Sequence, residues 1–526
     1  MSRVRFCLLF LLAISSPAFG QGGAPTAPIP EIRSAGMLTD IEWLAGAHFD
    51  GRLTGSRGNA AAARALAERL AELGGEPLPG ADSLLESYEQ PVVRIAERPR
   101  MSLSAGGRAA AGFEPGVDFD ILVREGTRIS GPVTARVVEL TEEHATPEWI
   151  AAHRECALVI SSRLFGELTR EDRLMQALFH PSEGPAAVIL GMPPGLGPMP
   201  RSLFLTADDY PPVGPMLIQM THEAAERLLT FVAAPGRRAS ERQPTVTVHG
   251  GYAVETVTVT NVAAVLPATS SPATEGDADA VGSDDDPRAP APRPRTSDTS
   301  ADAPGTATAP APASALDAPP IVLSAHFDGP GRIAESWHYP GAIDNASGVA
   351  VVLEVARMIA ESDRGGPRPV WVVFFNGEEQ GMRGSTAFVS AHGEHLPGAR
   401  IINVDMAGLS GVPVSVTRTA DATELAARAL ERLGEVDLEA RVIEGGGSDH
   451  ASFAGLAPAV SLVQSPYRRM HRPTDSDENA DGRTLEAIAR ALFGLIADEV
   501  DADASPAVGP TDHRIVVARL FDVIDG

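Results

Sequence analysis

Seven side chains in the second half of the chain have types and positions suited to hydrolytic chemistry: His326, Asp328, Asp344, Glu378, Glu379, Asp405 and His471. Two histidines and three carboxylates are the inventory that holds a pair of Zn²⁺ ions, one carboxylate bridging them at about 3.5 to 4 Å. Such a pair makes a shared water nucleophilic at neutral pH and polarises a carbonyl oxygen. A further carboxylate, beside the water but not spent on metal, can take the proton and pass it to a leaving amine. The adjacent Glu378 and Glu379 in "VWVVFFNGEEQGMRGS" fit that division of labour, one gripping metal and one moving the proton. Their spacing alone leaves open which is which.

These residues need a scaffold that gathers them. From Pro320 onward strands and helices alternate: strand Ile321 to Ala325, helix Gly348 to Glu361, strand Val370 to Phe375, strand Ile401 to Val404, helix Ala422 to Leu433, strand Ala459 to Val463 and helix Leu485 to Val500. The alternation predicts an α/β fold with a mixed, mostly parallel sheet and helices on both faces. His326 and Asp328, then Glu378 and Glu379, then Asp405 follow successive strands, and Asp344 and His471 lie in loops. Ligands in open α/β sheets bind beyond the carboxyl ends of the strands, so one crevice can collect all seven. Earlier, "AAARALAERLAELGG" predicts a helix with Leu66, Leu70 and Leu73 on one face, stopped by Gly74-Gly75. Residues 96–250 read as a smaller β-rich α/β unit in which Cys156 is a small core residue.

The chain has 526 residues and a formal charge of −26, which disfavours nucleic acid or an anionic membrane surface as partner. Hydrophobic residues make up 44% and aromatics 5%, so the core must rest on Ala, Val, Leu and Ile. Residues 1–20 read as a secretory signal peptide: two arginines, an apolar run from Phe6 to Ile14, and a small-residue site ending at Gly20. That predicts an exported protein, periplasmic or extracellular, with no stable membrane anchor after cleavage. Residues 268–320, acidic and rich in Ala and Pro, predict a disordered insertion, drawn as a long hairpin loop between two strands. A short tail, 504–526, follows the last helix. His338, His392 and His395 are read as surface histidines, and "SDH" at Ser448 to His450, which lacks a nucleophile elbow, as pocket lining.

The blocks "SAHFD", "PGAIDNASGVA", "FFNGEEQGMRGS", "NVDMAG", "GSDHASFAG" and "MHRPTDS", in that order, resemble the co-catalytic zinc exopeptidases of metallopeptidase family twenty-eight. That family includes secreted bacterial aminopeptidases, glutamate carboxypeptidase II and the glutaminyl cyclases. "FDGRLTGSRGNAAAARALAERLAELG" is similar to the family's N-terminal lead-in, so residues 36–95 and 251–503 are expected to make one peptidase domain, and 96–250 resembles a protease-associated domain. The resemblance implies two Zn²⁺ per subunit: His326, Asp344 and Asp405 on one, Asp344, Glu379 and His471 on the other. It makes Glu378 the general base and later acid, and Asp328 the carboxylate that fixes the His326 tautomer. It also implies a cis peptide at Asp344-Asn345. Several relatives carry Tyr where this chain has Met470, which leaves the oxyanion to metal or to a donor such as Tyr467 or Arg469.

The expected activity is removal of N-terminal residues from peptides. Carboxypeptidase or dipeptidase chemistry, or glutaminyl cyclisation, is the alternative on the same fold; the cyclases work with one zinc, and ligands for two are present here. A silent receptor on this fold is expected to lose ligands or base, and none is missing.

Overall fold

The computed structural model describes residues 30–105, 108–124, 126–194, 214–233, 244–266, 318–333, 337–362 and 368–501. The expected signal peptide, nearly all of the insertion and the C-terminal tail lie outside the described residues.

A 14-stranded mixed sheet runs through the molecule. Its centre is four parallel strands, Val370–Phe375, Ile321–His326, Arg400–Asp405 and Ala459–Gln464, in that spatial order. All six residues of Val370–Phe375 are buried, which is why the sequence reads as a continuous apolar run rather than an alternation. The period of two still sorts the side chains: Val370, Val372 and Phe374 enter one core, and Trp371, Val373 and Phe375 the other. The helix Ser347–Glu361 covers the first face, with Val349, Val352 and Ala356 in the same core as the helices Ser34–Leu44 and Gly482–Asp501. Phe374 is fully buried. Phe374→Ala is expected to cost about 3–5 kcal/mol, seen as a lower urea midpoint.

Two strands of unusual length join the halves of the sheet. Leu85–Ala105 (21 residues) and Thr245–Leu266 (22 residues) pair antiparallel from Leu85↔Val262 to Ser104↔Thr245. At one end Val262, Ala264 and Leu266 belong to the core under Ser347–Glu361; at the other, Met101, Leu103, Val246 and Val248 belong to a separate core drawn from residues between Val93 and Tyr252. Cys156 is buried in a further cluster beside it.

Two expectations need correction. The strands flanking 268–320 do not form a hairpin: Val370–Phe375 lies between them, antiparallel to Thr245–Leu266 and parallel to Ile321–His326. The fully apolar strand takes the central position, where both faces are covered. His392 is not a surface residue. It is 6% exposed, packs against Trp371 and Phe388, and its Nε2 lies 2.9 Å from Glu86.

Candidate active site

Parallel register sets the first part of the site. His326 ends its strand opposite Phe375, and Asp405 ends the strand on the other side of Ile321–His326. The chain therefore leaves Phe375 beside His326 and turns at Asn376-Gly377 into Glu378 and Glu379. Gly377 has φ 73°, and a Cβ there would stand 2.4 Å from Gln90 Oε1, so the turn favours glycine.

The structure brings the seven residues named from the sequence into one cluster. His326, Glu378 and Asp405 form one group, and Asp344, Glu379 and His471 a second. Asp344 joins the two: Oδ1 lies 3.4 Å from His326 Nε2 and Oδ2 3.2 Å from His471 Nε2. Asp405 Oδ1 is also 3.4 Å from His326 Nε2, whereas Glu378 Oε2 stands 3.9 Å away. Glu379 Oε2 is 2.7 Å from His471 Nε2. The Asp344-Asn345 peptide is cis.

Asp328 lies beneath both groups. Its oxygens accept the backbone N–H of Glu378 (3.1 Å) and of Glu379 (3.2 Å), and Oδ1 is 3.5 Å from His326 Nδ1. One buried carboxylate thus orients the loop that carries both glutamates and faces the imidazole that ends the strand just before it.

Asp475 does the same for the opposite loop and was not singled out from the sequence. It accepts the N–H of Ile343 (2.9 Å) and of Asp344 (3.2 Å) and the hydroxyl of Tyr467 (2.9 Å). Its position four residues after His471, inside a quoted block, was the available signal. Tyr467 is therefore committed to Asp475, Arg469 donates to Asn479, and Met470 is 41% exposed. Asp449 and His450 are buried rather than open to the surface.

The electrostatics are those of a cation site. Burial alone disfavours charge on both imidazoles, yet the surrounding carboxylates, Glu378 above all for His326 and Glu379 for His471, raise both well above the ordinary histidine range. Burial would lift Asp344, but His326 and His471 outweigh it and hold the carboxyl below its usual range. Glu378 is pushed well up, first by burial and then by Asp405, Asp449 and Glu379, against the pull of His326. Burial pushes Asp449 up to about 7 and Asp475 likewise to about 7.

The donor set fits zinc. Imidazole nitrogens and carboxylate oxygens are its usual ligands, and Glu379 Oε1 is buried with no hydrogen-bond partner, an orphan that a cation satisfies.

Comparison with known proteins agrees with this geometry. Residues 307–496 match peptidase family M28. Over 203 residues the chain is 28% identical to aminopeptidase YwaD of Bacillus subtilis, covering 35% of this chain and 43% of that protein. Over 144 residues it is 29% identical to a probable glutamate carboxypeptidase, LAMP1, of Arabidopsis thaliana, covering 23% and 21%. The matches thus span less than half the length of these curated relatives. The structure of BSAP, a zinc aminopeptidase from Bacillus subtilis, superposes with TM-score 0.57 at 17% identity, over 91% of this chain and 98% of that one. An aminopeptidase from Aneurinibacillus sp. strain AM-1 superposes with TM-score 0.54 at 18% identity, over 92% and 97%. At such identities the superpositions show a shared fold. Residues 307–496, which carry all seven clustered side chains, match peptidase family M28, and the superpositions show that the chain shares its fold with these two solved aminopeptidases.

Proposed function

We propose that the protein is an exported di-zinc aminopeptidase. The observation that carries the reading is the division of Asp344: one oxygen faces His326 and the other His471, the arrangement of a bridging carboxylate. His326, Asp344 and Asp405 would hold one ion, and Asp344, Glu379 and His471 the other. When bound, the pair would supply Lewis-acid polarisation of the scissile carbonyl and would acidify the attacking water.

The remaining steps belong to the chain. Glu378, not needed by either ligand set, takes the proton from the attacking water and delivers it to the departing amine. Its proton affinity, raised by burial, suits it to both transfers. Asp328 keeps Glu378 and Glu379 apart in function by fixing both backbone amides. The similarity to aminopeptidase YwaD supports a free α-amine as the recognised end of the substrate. Residues 96–250 form a protease-associated-like unit beside the peptidase fold, residues 1–20 direct export, and peptides are the substrates. Among the described residues no helix is long and apolar enough to cross a membrane.

The test is hydrolysis of an aminoacyl chromogenic amide against its N-acetylated twin, with and without chelator. Cleavage of the free amine alone, abolished by chelator and restored by zinc, is expected. Equal cleavage of the blocked amide overturns the aminopeptidase reading, and activity that survives thorough metal removal overturns the mechanism.

A further inference from the structure

Resting on the two-metal reading above, we infer that Arg52, from the N-terminal lead-in, is a positioning residue that sets the spacing of the two ligand groups by clamping both loops with one guanidinium. Its side chain is fully buried. Nε donates to Phe327 O (2.7 Å), between His326 and Asp328. Nη1 donates to Leu44 O (2.7 Å) and Pro340 O (2.8 Å), and Nη2 to Gly341 O (2.7 Å), in the chain leading to Asp344. The carbonyls of both metal loops are thus tied to a rigid planar fork, a geometry that an ammonium cannot reproduce.

Backbone conformation supports the assignment independently. Asp50, Gly51 and Arg52 are all left-handed, with φ 57°, 68° and 56°. For the two residues with a Cβ this conformation is unfavourable, and such conformations cluster where surrounding structure imposes a functional geometry. At Gly51 a Cβ would lie 2.4 Å from Gly331 O, so this turn is pressed against the loop between His326 and Asp344. The guanidinium stays charged: burial lowers its pKa only to about 10, against the opposing pull of Asp475, Asp328, Asp344 and Glu379. It makes no direct ion pair in any of its four hydrogen bonds, so its charge acts on those carboxylates through space. The same segment reinforces the contact, since Thr54 Oγ1 lies 3.2 Å from Asp328 Oδ2 and 3.0 Å from Asn376 Oδ1.

The experiment titrates stripped wild type and R52K with cobalt(II), following uptake and the visible d–d spectrum. Wild type is expected to take up two ions. R52K, which keeps the charge and loses the fork, is expected to bind the second at least about tenfold more weakly, with an altered spectrum, and to lose kcat with KM within about twofold. Wild-type affinity and spectrum in a folded R52K overturn the positioning role, even if its thermal midpoint falls. Amide exchange on the wild-type protein decides the matter should R52K not fold. Stripping and reloading metal is expected to change exchange in residues 49–59, which contain no ligand; unchanged exchange there overturns the inference. Failure of the wild type itself to take up two ions overturns the underlying metallopeptidase reading, a result distinct from wild-type uptake with an unaltered R52K.

Discussion

Replacing Glu378 with Gln is expected to lower kcat by about 10³- to 10⁴-fold while zinc stoichiometry stays at the wild-type value. The expectation follows from how the paired glutamates are held. Asp328 binds both backbone amides, so the two side chains leave the turn from fixed points and diverge. Glu379 reaches His471 at 2.7 Å, ligand-like company, whereas Glu378 stops 3.9 Å from His326 Nε2. The shorter approaches to that imidazole, 3.4 Å each, are made by Asp344 and Asp405. Glutamine preserves the shape of Glu378 but cannot accept a proton, so binding survives and turnover does not. The pH profile adds a second signature. A base must be ionised, so wild-type kcat/KM falls as pH drops through the pKa of Glu378, and in E378Q that acidic limb disappears. Metal analysis of the same protein separates the roles: loss of an ion from E378Q makes Glu378 a ligand, as its grouping with His326 and Asp405 allows, and removes it as the base.

How much of this was legible without coordinates depended on whether a feature is local. Val370–Phe375 and Ile321–His326 declare themselves because residues buried on both faces leave an uninterrupted apolar run. Ligands at strand ends were readable for the same reason, since parallel strands deliver their carboxyl ends to one edge. The strands Val414–Arg418 and Ala440–Glu444 were not read: the second, at the sheet edge, is exposed over most of its length and carries no such signal. Strand order was misread across residues 268–320 because adjacency in sequence says nothing about insertion of a third strand. Asp475 and Arg52 escaped notice because their work is done on backbone atoms of other segments, Arg52 across 275 to 289 residues to the metal loops. No side-chain pattern records a partner that is a carbonyl or an amide.

Asp344→Asn is expected to abolish detectable turnover and to remove the stabilising effect of zinc, and its stability is the more informative readout. Among the described residues Asp344 is the one carboxylate within 4 Å of both imidazoles, so its loss weakens both ligand sets where Glu379→Ala weakens only the group with His471. An amide retains one neutral oxygen and presents an N–H₂ group to the other side, which repels a cation instead of binding it. An ion held at a thousand times its Kd stabilises the folded state by about 4 kcal/mol, so chelation should lower the wild-type thermal midpoint sharply and leave that of D344N in place. Buried carboxylates crowd this cluster, and Asp344 itself raises the proton affinity of Glu379 and Asp475 by like-charge repulsion. Removing that charge relieves the repulsion, although it also gives up the favourable contacts of Asp344 with His326 and His471. The contacts prevail, since they hold the Asp344 carboxyl below its usual range, so chelator-treated D344N is expected to melt lower than chelator-treated wild type at neutral pH. A D344N protein that still gains stability from zinc as the wild type does would move the bridge to another carboxylate and undo the two-group assignment on which the proposed chemistry stands.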